Sequence, residues 1–156
     1  MNQKPEIRLV ELAPSRVASV RAVGRQPETE ALDALGSWTR KNGLVGGKDH
    51  RLFGFDNPGP ARGKDTYGYE VWLTVGPDAQ DSENVTIKDF PGGLYAVMQT
   101  KLPEIGASWK NLVRWCKSSD YREDGRQCLE EHISPPGTPL NSFVLDLYLP
   151  VEKQDQ

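Results

Sequence analysis

The sequence is poor in the side chains that carry most nucleophilic, metal and redox chemistry: two cysteines and two histidines among 156 residues. Neither a His-x-His nor a Cys-x-x-Cys spacing occurs, so no metal site and no cofactor are expected. The absence of a Gly-x-Gly-x-x-Gly or P-loop pattern speaks against a nucleotide site. No Ser-His-Asp or Cys-His arrangement can be picked out for nucleophilic catalysis. Basic runs are also missing, and the formal net charge is −3, which argues against direct contact with nucleic acid. Long apolar runs are absent, so no membrane-spanning helix is expected, and the opening Met-Asn-Gln-Lys-Pro-Glu lacks the apolar core of a secretory signal. Cys116 and Cys128 then read as buried, reduced thiols of a cytoplasmic protein.

What the chain does have is turn residues and short apolar alternations. Its 15 glycines and 12 prolines cluster at a few places, which favours many short strands over a helical bundle. The 37% hydrophobic and 26% charged content suits a single globular domain over residues 1–156. Strands are expected at 7–12 and 16–23, joined as a hairpin through Ala13-Pro14-Ser15. A helix follows from Pro27, with Glu28 and Glu30 in its first turn, an apolar stripe at Ala31, Leu32, Ala34, Leu35 and Trp38, and Asn42-Gly43 as its stop. Residues 44–49 form a glycine-rich loop, and strands are expected at 51–55 and 67–75. After an acidic linker at 76–83 the order begins again. Strands at 85–90 and 94–100 flank the turn Pro91-Gly92-Gly93. A helix opens at Pro103, with Trp109, Leu112, Val113 and Cys116 on its inner side, and strands follow at 127–133 and 143–151.

This recurrence is an internal repeat, 5–76 and 84–152. Pro14 matches Pro91, Leu35 matches Leu112, Trp38 matches Trp115 and Pro58 matches Pro135, each 77 residues apart. Glu70 matches Asp146 and Trp72 matches Tyr148, each 76 apart. The expected fold is therefore α+β: two pseudo-symmetric β-β-α-β-β modules forming a largely antiparallel eight-stranded sheet. Two helices should pack on one face and a central ligand groove should lie on the other.

Alternation assigns sides. In 67–75 the residues Tyr67, Tyr69, Val71, Leu73 and Val75 form an apolar face, which leaves Glu70 and Trp72 on the groove side. In 143–151 the apolar Phe143, Leu145, Leu147 and Leu149 leave Asp146 and Tyr148 there. In 127–133 Leu129 and Ile133 are the apolar pair, so Cys128, Glu130 and His132 take the groove side, with Phe53 and Phe55 as their counterparts in the first half. Glu70 and Asp146 read equally well as solvated positions on an open sheet. Trp109 sits on a helical stripe, a core position more than a ligand platform. Flat rings around a carboxylate suit a planar, hydrophobic, often cationic ligand, held by stacking, cation–π attraction and charge pairing.

The ordered set of Arg51-Leu52-Phe53-Gly54-Phe55 with Asn57-Pro58, Tyr67-Gly68-Tyr69-Glu70-Val71-Trp72, Phe90-Pro91-Gly92-Gly93-Leu94-Tyr95, Trp109 to Trp115, Cys128-Leu129-Glu130-Glu131-His132 and Leu147-Tyr148-Leu149-Pro150-Val151 resembles the GyrI-like, or AraC-type effector-binding, family of SOUL-like fold. The resemblance covers nearly the whole chain. It implies that the chain binds hydrophobic aromatic, often cationic small molecules of the multidrug or effector type. It also implies that Glu130 matches the family's ligand-contacting glutamate, with Leu129 and His132 replacing the flanking aromatics, and that Tyr148 matches the tyrosine of the last strand. Tyr95 and Trp109 lie within the matching stretches and join Glu130, Tyr148, Trp72, Phe53, Phe55, His132 and Glu70 as candidate ligand contacts. With no helix-turn-helix region visible, a stand-alone member is expected. Some such relatives resemble hydrolases that open cyclopropanoid or similar electrophilic toxins; Glu130 would then activate water, with Tyr148 as its hydrogen-bond partner. A protein partner is implied by family precedent alone.

Overall fold

The computed structural model describes residues 6–44 and 50–155. From residue 45 onward, the expected glycine-rich loop lies outside the described residues. The described elements are β1 (Ile7–Leu12), β2 (Ser15–Gly24), α1 (Pro27–Lys41), β3 (Leu52–Asp56), β4 (Tyr67–Val75), β5 (Thr86–Phe90), β6 (Gly93–Lys101), α2 (Ile105–Lys117), β7 (Tyr121–Glu123), β8 (Leu129–His132) and β9 (Val144–Lys153). The fold is α+β with antiparallel strand pairing, as expected; the short β7 makes nine strands among the described residues where eight were expected. The chain divides into two compact units. Pro14–Pro91 is one, called here the inserted unit; the described residues on either side of it form the other, the flanking unit.

The expected hairpin of β1 and β2 does not form, and β5 and β6, which flank the turn Pro91-Gly92-Gly93, do not pair with each other. β1 pairs with β6, and β5 pairs with β2, so the strand order is β5-β2-β4-β3 in the inserted unit and β1-β6-β9-β8 in the flanking unit, where β7 also pairs with β9. Alternation showed that these segments are strands but not which strand each would join. The turn residues do bear on it: Pro14 and Pro91 lack the N–H that a tight hairpin ladder uses. Gly92 and Gly93 adopt φ of 73° and 127°, and a Cβ on Gly92 would stand 2.1 Å from the Leu12 carbonyl oxygen. This corner of the flanking unit therefore requires glycine.

Each helix packs on one face of its own unit's sheet. The α1 stripe Ala31, Leu35 and Trp38 meets Ala18, Val20, Tyr69 and Val71. Pro27 opens this helix, Glu28 and Glu30 complement its N-terminal dipole, and Asn42 with Gly43 at φ 67° ends it. Tyr67 ties the end of β4 to the start of α1, its hydroxyl donating to Glu28 at 2.6 Å, and that bond pushes the phenol up to about 12. In the flanking unit Leu112 and Cys116 of α2, with half-buried Trp109 and Val113, cover Ala96, Met98, Leu147, Leu149 and Val151. Half-buried Trp115 packs against the same cluster and stacks on Tyr121 at 6.4 Å.

Two glycines make room for close approaches in the inserted unit. A Cβ on Gly54 would meet the Tyr69 hydroxyl at 2.1 Å, and one on Gly68 would meet the Asn57 carbonyl oxygen at 1.9 Å. The second clash is with backbone that Gly68 itself holds: Asn57 N–H donates to Gly68 O at 2.7 Å, and Gly68 N–H to Pro58 O at 2.8 Å. Gly68→Ala is therefore expected to destabilise the protein by about 1–3 kcal/mol, the ordinary range for overpacking, in denaturant unfolding. A change below about 0.5 kcal/mol would be that of an ordinary surface site and would contradict the account.

Candidate functional site

Residues directly opposite each other on antiparallel strands share a face, so the register places each candidate. In the inserted unit Phe53 lies opposite Trp72, Phe55 opposite Glu70, and Ser19 also opposite Trp72. Phe90 joins them from β5, opposite Ser15. All belong to the face turned away from α1. Phe55 meets Trp72 edge-on at 4.9 Å, Trp72 lies 5.5 Å from Phe90, and Phe90 lies 6.3 Å from Phe53. The Arg51 guanidinium sits 5.2 Å over the Phe53 ring. An open depression of about 540 Å³, lined by Pro14, Ser15, Arg16, Asp89, Phe90 and Pro91, shares only Phe90 with this cluster.

Glu70 sits beside these rings and is only 4% exposed. Its Oε2 accepts hydrogen bonds from Trp72 Nε1 at 2.6 Å, Ser19 Oγ at 2.8 Å and Lys88 Nζ at 3.0 Å, while Oε1 accepts from Asn57 Nδ2 at 3.0 Å. Burial alone would raise the carboxyl pKa. The donors from Trp72, Lys88, Ser19 and Asn57 together outweigh it and leave the pKa below the ordinary value.

The flanking unit carries a second arrangement on the face turned away from α2. Tyr148 lies opposite Val97 and Leu129, and Asp146 opposite Gln99 and Glu131. The Tyr148 hydroxyl donates to Glu131 Oε1 at 2.6 Å. Tyr95 meets Tyr148 edge-on at 5.7 Å, and the Arg126 guanidinium lies 4.8 Å over the Tyr95 ring. Arg126 also donates to the carbonyls of Gly92 at 3.0 Å and Leu94 at 2.7 Å, which fixes the start of β6. Asp146 accepts from Arg8 at 2.8 Å and Gln99 at 3.2 Å. Burial dominates at Tyr95 and raises its phenol, against the lowering influence of Arg126.

β8 departs from the expected sides. Glu130 lies opposite Leu147 and His132 opposite Leu145, so both share the helix-side face with the apolar residues of β9. The carboxylate beside Tyr148 is that of Glu131, and Leu129 is fully buried on that same face. Alternation alone makes Leu129 and Ile133 the helix-facing pair, yet Ile133 is 44% exposed. Both faces of β8 are at least half buried, so apolar content alone does not tell them apart, and a register shifted by one residue exchanges the two sides. His132 meets Phe143 edge-on at 5.7 Å. Trp109 belongs to the helix layer, packed against the α2 core. Phe53, Phe55, Glu70 and Trp72 are thus brought together in one unit, and Tyr95 and Tyr148 in the other.

Sequence reasoning did not single out Ser19, Asn57, Lys88, Phe90, Arg126 or Glu131 as site residues. Lys88 and Phe90 were within reach, since they alternate along the same short strand. Glu131 required the register. The thiols are not joined: Cys116 is buried and Cys128 half-buried. Burial raises both, and for Cys128, with Glu123 and Asp124 nearby, it reaches about 11, which leaves an inert thiol at neutral pH. Among the described residues no cluster of His, Cys, Asp and Glu is arranged to hold a metal ion, and no helix is long and apolar enough to cross a membrane.

The model of the GyrI-like small molecule binding domain family matches residues 5–152. No curated protein sequence matches the chain. Among solved structures it is similar to EcmrR in a cryo-EM structure of its DNA complex, with a TM-score of 0.77 and 16% identity over 96% of this chain; it spans 58% of the EcmrR chain, less than two thirds of that length. It is similar to a hydrolase from Listeria innocua, with a TM-score of 0.71 and 16% identity over 97% of this chain and 94% of that one. It is also similar to SAV2435 bound to tetraphenylphosphonium, with a TM-score of 0.55 and 13% identity over 94% of each chain. At these identities the likeness carries the fold alone.

Two titrations follow from the geometry. Burial holds His132 down to about 4, against the opposing pull of Glu131, from an ordinary 6.5. The folded chain therefore refuses a proton that the unfolded chain accepts, and this contribution to stability is lost as pH falls from about 6.5 towards 4. An NMR titration should find the His132 ring neutral at pH 6; a midpoint near 6.5 would contradict its burial. Glu70 has the usual carboxylate sign: its contribution is present above the unfolded value, 4.5, and is lost as pH falls through the lower folded one. Glu70→Gln should flatten the acid limb of a stability–pH curve, and an unchanged limb would contradict the role of its donors.

Proposed function

The chain belongs to the GyrI-like small-molecule-binding family, and on that footing we propose that it takes up hydrophobic aromatic cations through the sheet faces turned away from its helices. The observation that carries the reading is the buried Tyr148–Glu131 hydrogen bond with Tyr95 packed edge-on against Tyr148. Aromatic rings attract a delocalised cation through their faces, and a neighbouring carboxylate adds charge pairing that a neutral ligand cannot use. Glu131 takes the role that the resemblance assigned to Glu130, because Glu131 and not Glu130 shares a face with Tyr148. The Glu70–Trp72–Phe53–Phe55 cluster repeats the same chemistry in the inserted unit. SAV2435 with its bound tetraphenylphosphonium supplies the probe.

A second reading is favoured by the same hydrogen bond. A buried carboxylate that already accepts a tyrosine hydroxyl at 2.6 Å is placed to accept a proton from water, as a hydrolase opening a cyclopropanoid or similar electrophile requires. Incubation of the protein with such a compound and mass detection of a water adduct distinguishes the two readings; turnover no faster than buffer removes the hydrolase.

Calorimetric titration with tetraphenylphosphonium should give micromolar binding. Glu131→Gln should weaken it about tenfold, on the order of a lost charge-assisted contact, and leave a neutral ligand such as triphenylphosphine oxide unaffected. Glu130→Gln should leave both unchanged. If Glu130→Gln weakens the cation and Glu131→Gln does not, the two roles are reversed and the register argument fails.

A further inference from the structure

We propose that the acid-and-aromatic face of the inserted unit is a cation site that the chain itself occupies, with the Lys88 ammonium as a tethered competitor of any lipophilic cation for Glu70. Two of the chain's own cations already stand where such a ligand would be held. Lys88 Nζ lies 3.0 Å from Glu70 Oε2, and the Arg51 guanidinium lies 5.2 Å over the Phe53 ring. Each makes the kind of contact a hydrophobic cation makes: charge pairing with a buried carboxylate, and attraction to a ring face.

The three donors on Glu70 Oε2 differ in how readily they can leave. Ser19 is buried, and Trp72 is wedged between Phe55 and Phe90. The Lys88 side chain is 45% exposed, on a flexible four-carbon stem, while that of Glu70 is 5% exposed. Water can receive the lysine ammonium without any repacking of the core. Glu70 cannot follow it, because Trp72, Ser19 and Asn57 keep hold of both its oxygens. Departure of Lys88 therefore leaves an oriented carboxylate in a nearly dry setting, approached along the path the lysine stem had filled. A group fixed to the same chain competes at a high effective concentration, so the lysine excludes weak cations and yields only to one with aromatic surface to contribute. Lys88 is thus a threshold on which cations the face admits.

The inference rests on the proposed cation binding, and the test separates the two. Wild type, Lys88→Met and Lys110→Met are titrated with tetraphenylphosphonium and with uncharged triphenylphosphine oxide. Lys110 lies exposed on α2 of the flanking unit, so its variant removes the same charge outside the residues of the proposed site. Lys88→Met should bind the cation about five- to tenfold more tightly than wild type, the scale of removing one half-exposed ion pair, with the neutral probe unchanged. Adding Glu70→Gln to Lys88→Met should abolish the gain; if that double variant does not fold, Lys88→Met with Trp72→Phe, which deletes the indole donor, should reduce it. Equal affinity of Lys88→Met and wild type, or an equal gain in Lys110→Met, overturns the inference while leaving cation binding intact. Cation binding in Lys88→Met with none in wild type supports the inference and removes the proposed activity of the native chain. No binding in either overturns both.

Discussion

The structure depends on an exchange of strands secured by charge. β5 lies in the sheet with β2, and β1 in the sheet with β6, so neither unit completes its sheet from one half of the repeat read in the sequence. In both units the exchanged strand brings a cation to the buried acid of a long strand. Lys88 of β5 reaches Glu70 of β4, and Arg8 of β1 reaches Asp146 of β9. Such a pair adds little net stability, since each buried acid loses its hydration. What it adds is register. A one-residue slip of β5 would carry Lys88 to the α1 side and leave Glu70 without its cation, and the same holds for β1 and Asp146.

Around those pairs the two units use aromatic residues differently. In the inserted unit four rings gather at Glu70, and the indole of Trp72 is itself a donor to the acid. In the flanking unit Tyr148, which stands to Asp146 as Trp72 does to Glu70, turns its hydroxyl to Glu131 on the adjacent strand, not to Asp146. The same spacing of acid and aromatic therefore yields a closed hydrogen-bond set in one unit and a cross-strand pair in the other. Polar groups buried beside rings must find donors, and the side chains at hand decide which acid an aromatic serves.

Much of this was legible in the sequence. The α+β class, both helices, the Asn42-Gly43 stop of α1, and the helix-facing sides of β4 and β9 follow from periodicity and turn chemistry, because those elements are long and one of their faces is continuously apolar; α2 starts at Ile105, two residues past the expected Pro103. The strand exchange was not legible. A strand's alternation says that it pairs, and the partner is chosen by tertiary closure. β8 is the instructive failure: four residues, with leucine, two glutamates and histidine, offer no clean apolar face, and the pairing of Leu129 with Tyr148 decides the matter. Family likeness pointed to the strand and to a glutamate, but two adjacent glutamates differ by the side of a sheet.

The exchange also bears on how the molecule comes into being. During synthesis β1 leaves the ribosome before β6, its partner, which follows only after the entire inserted unit has been made. Until then β1 carries Leu9, exposed even in the folded unit, and an open backbone edge with no sheet to join. Arg8 and Glu11 are exposed on β1, and charge along a strand disfavours its pairing with another chain. The inserted unit, contiguous from Pro14 to Pro91, can assemble in the meantime. The Arg8 charge that pairs with Asp146 in the folded unit is thus in place on β1 before the strand that carries Asp146 exists.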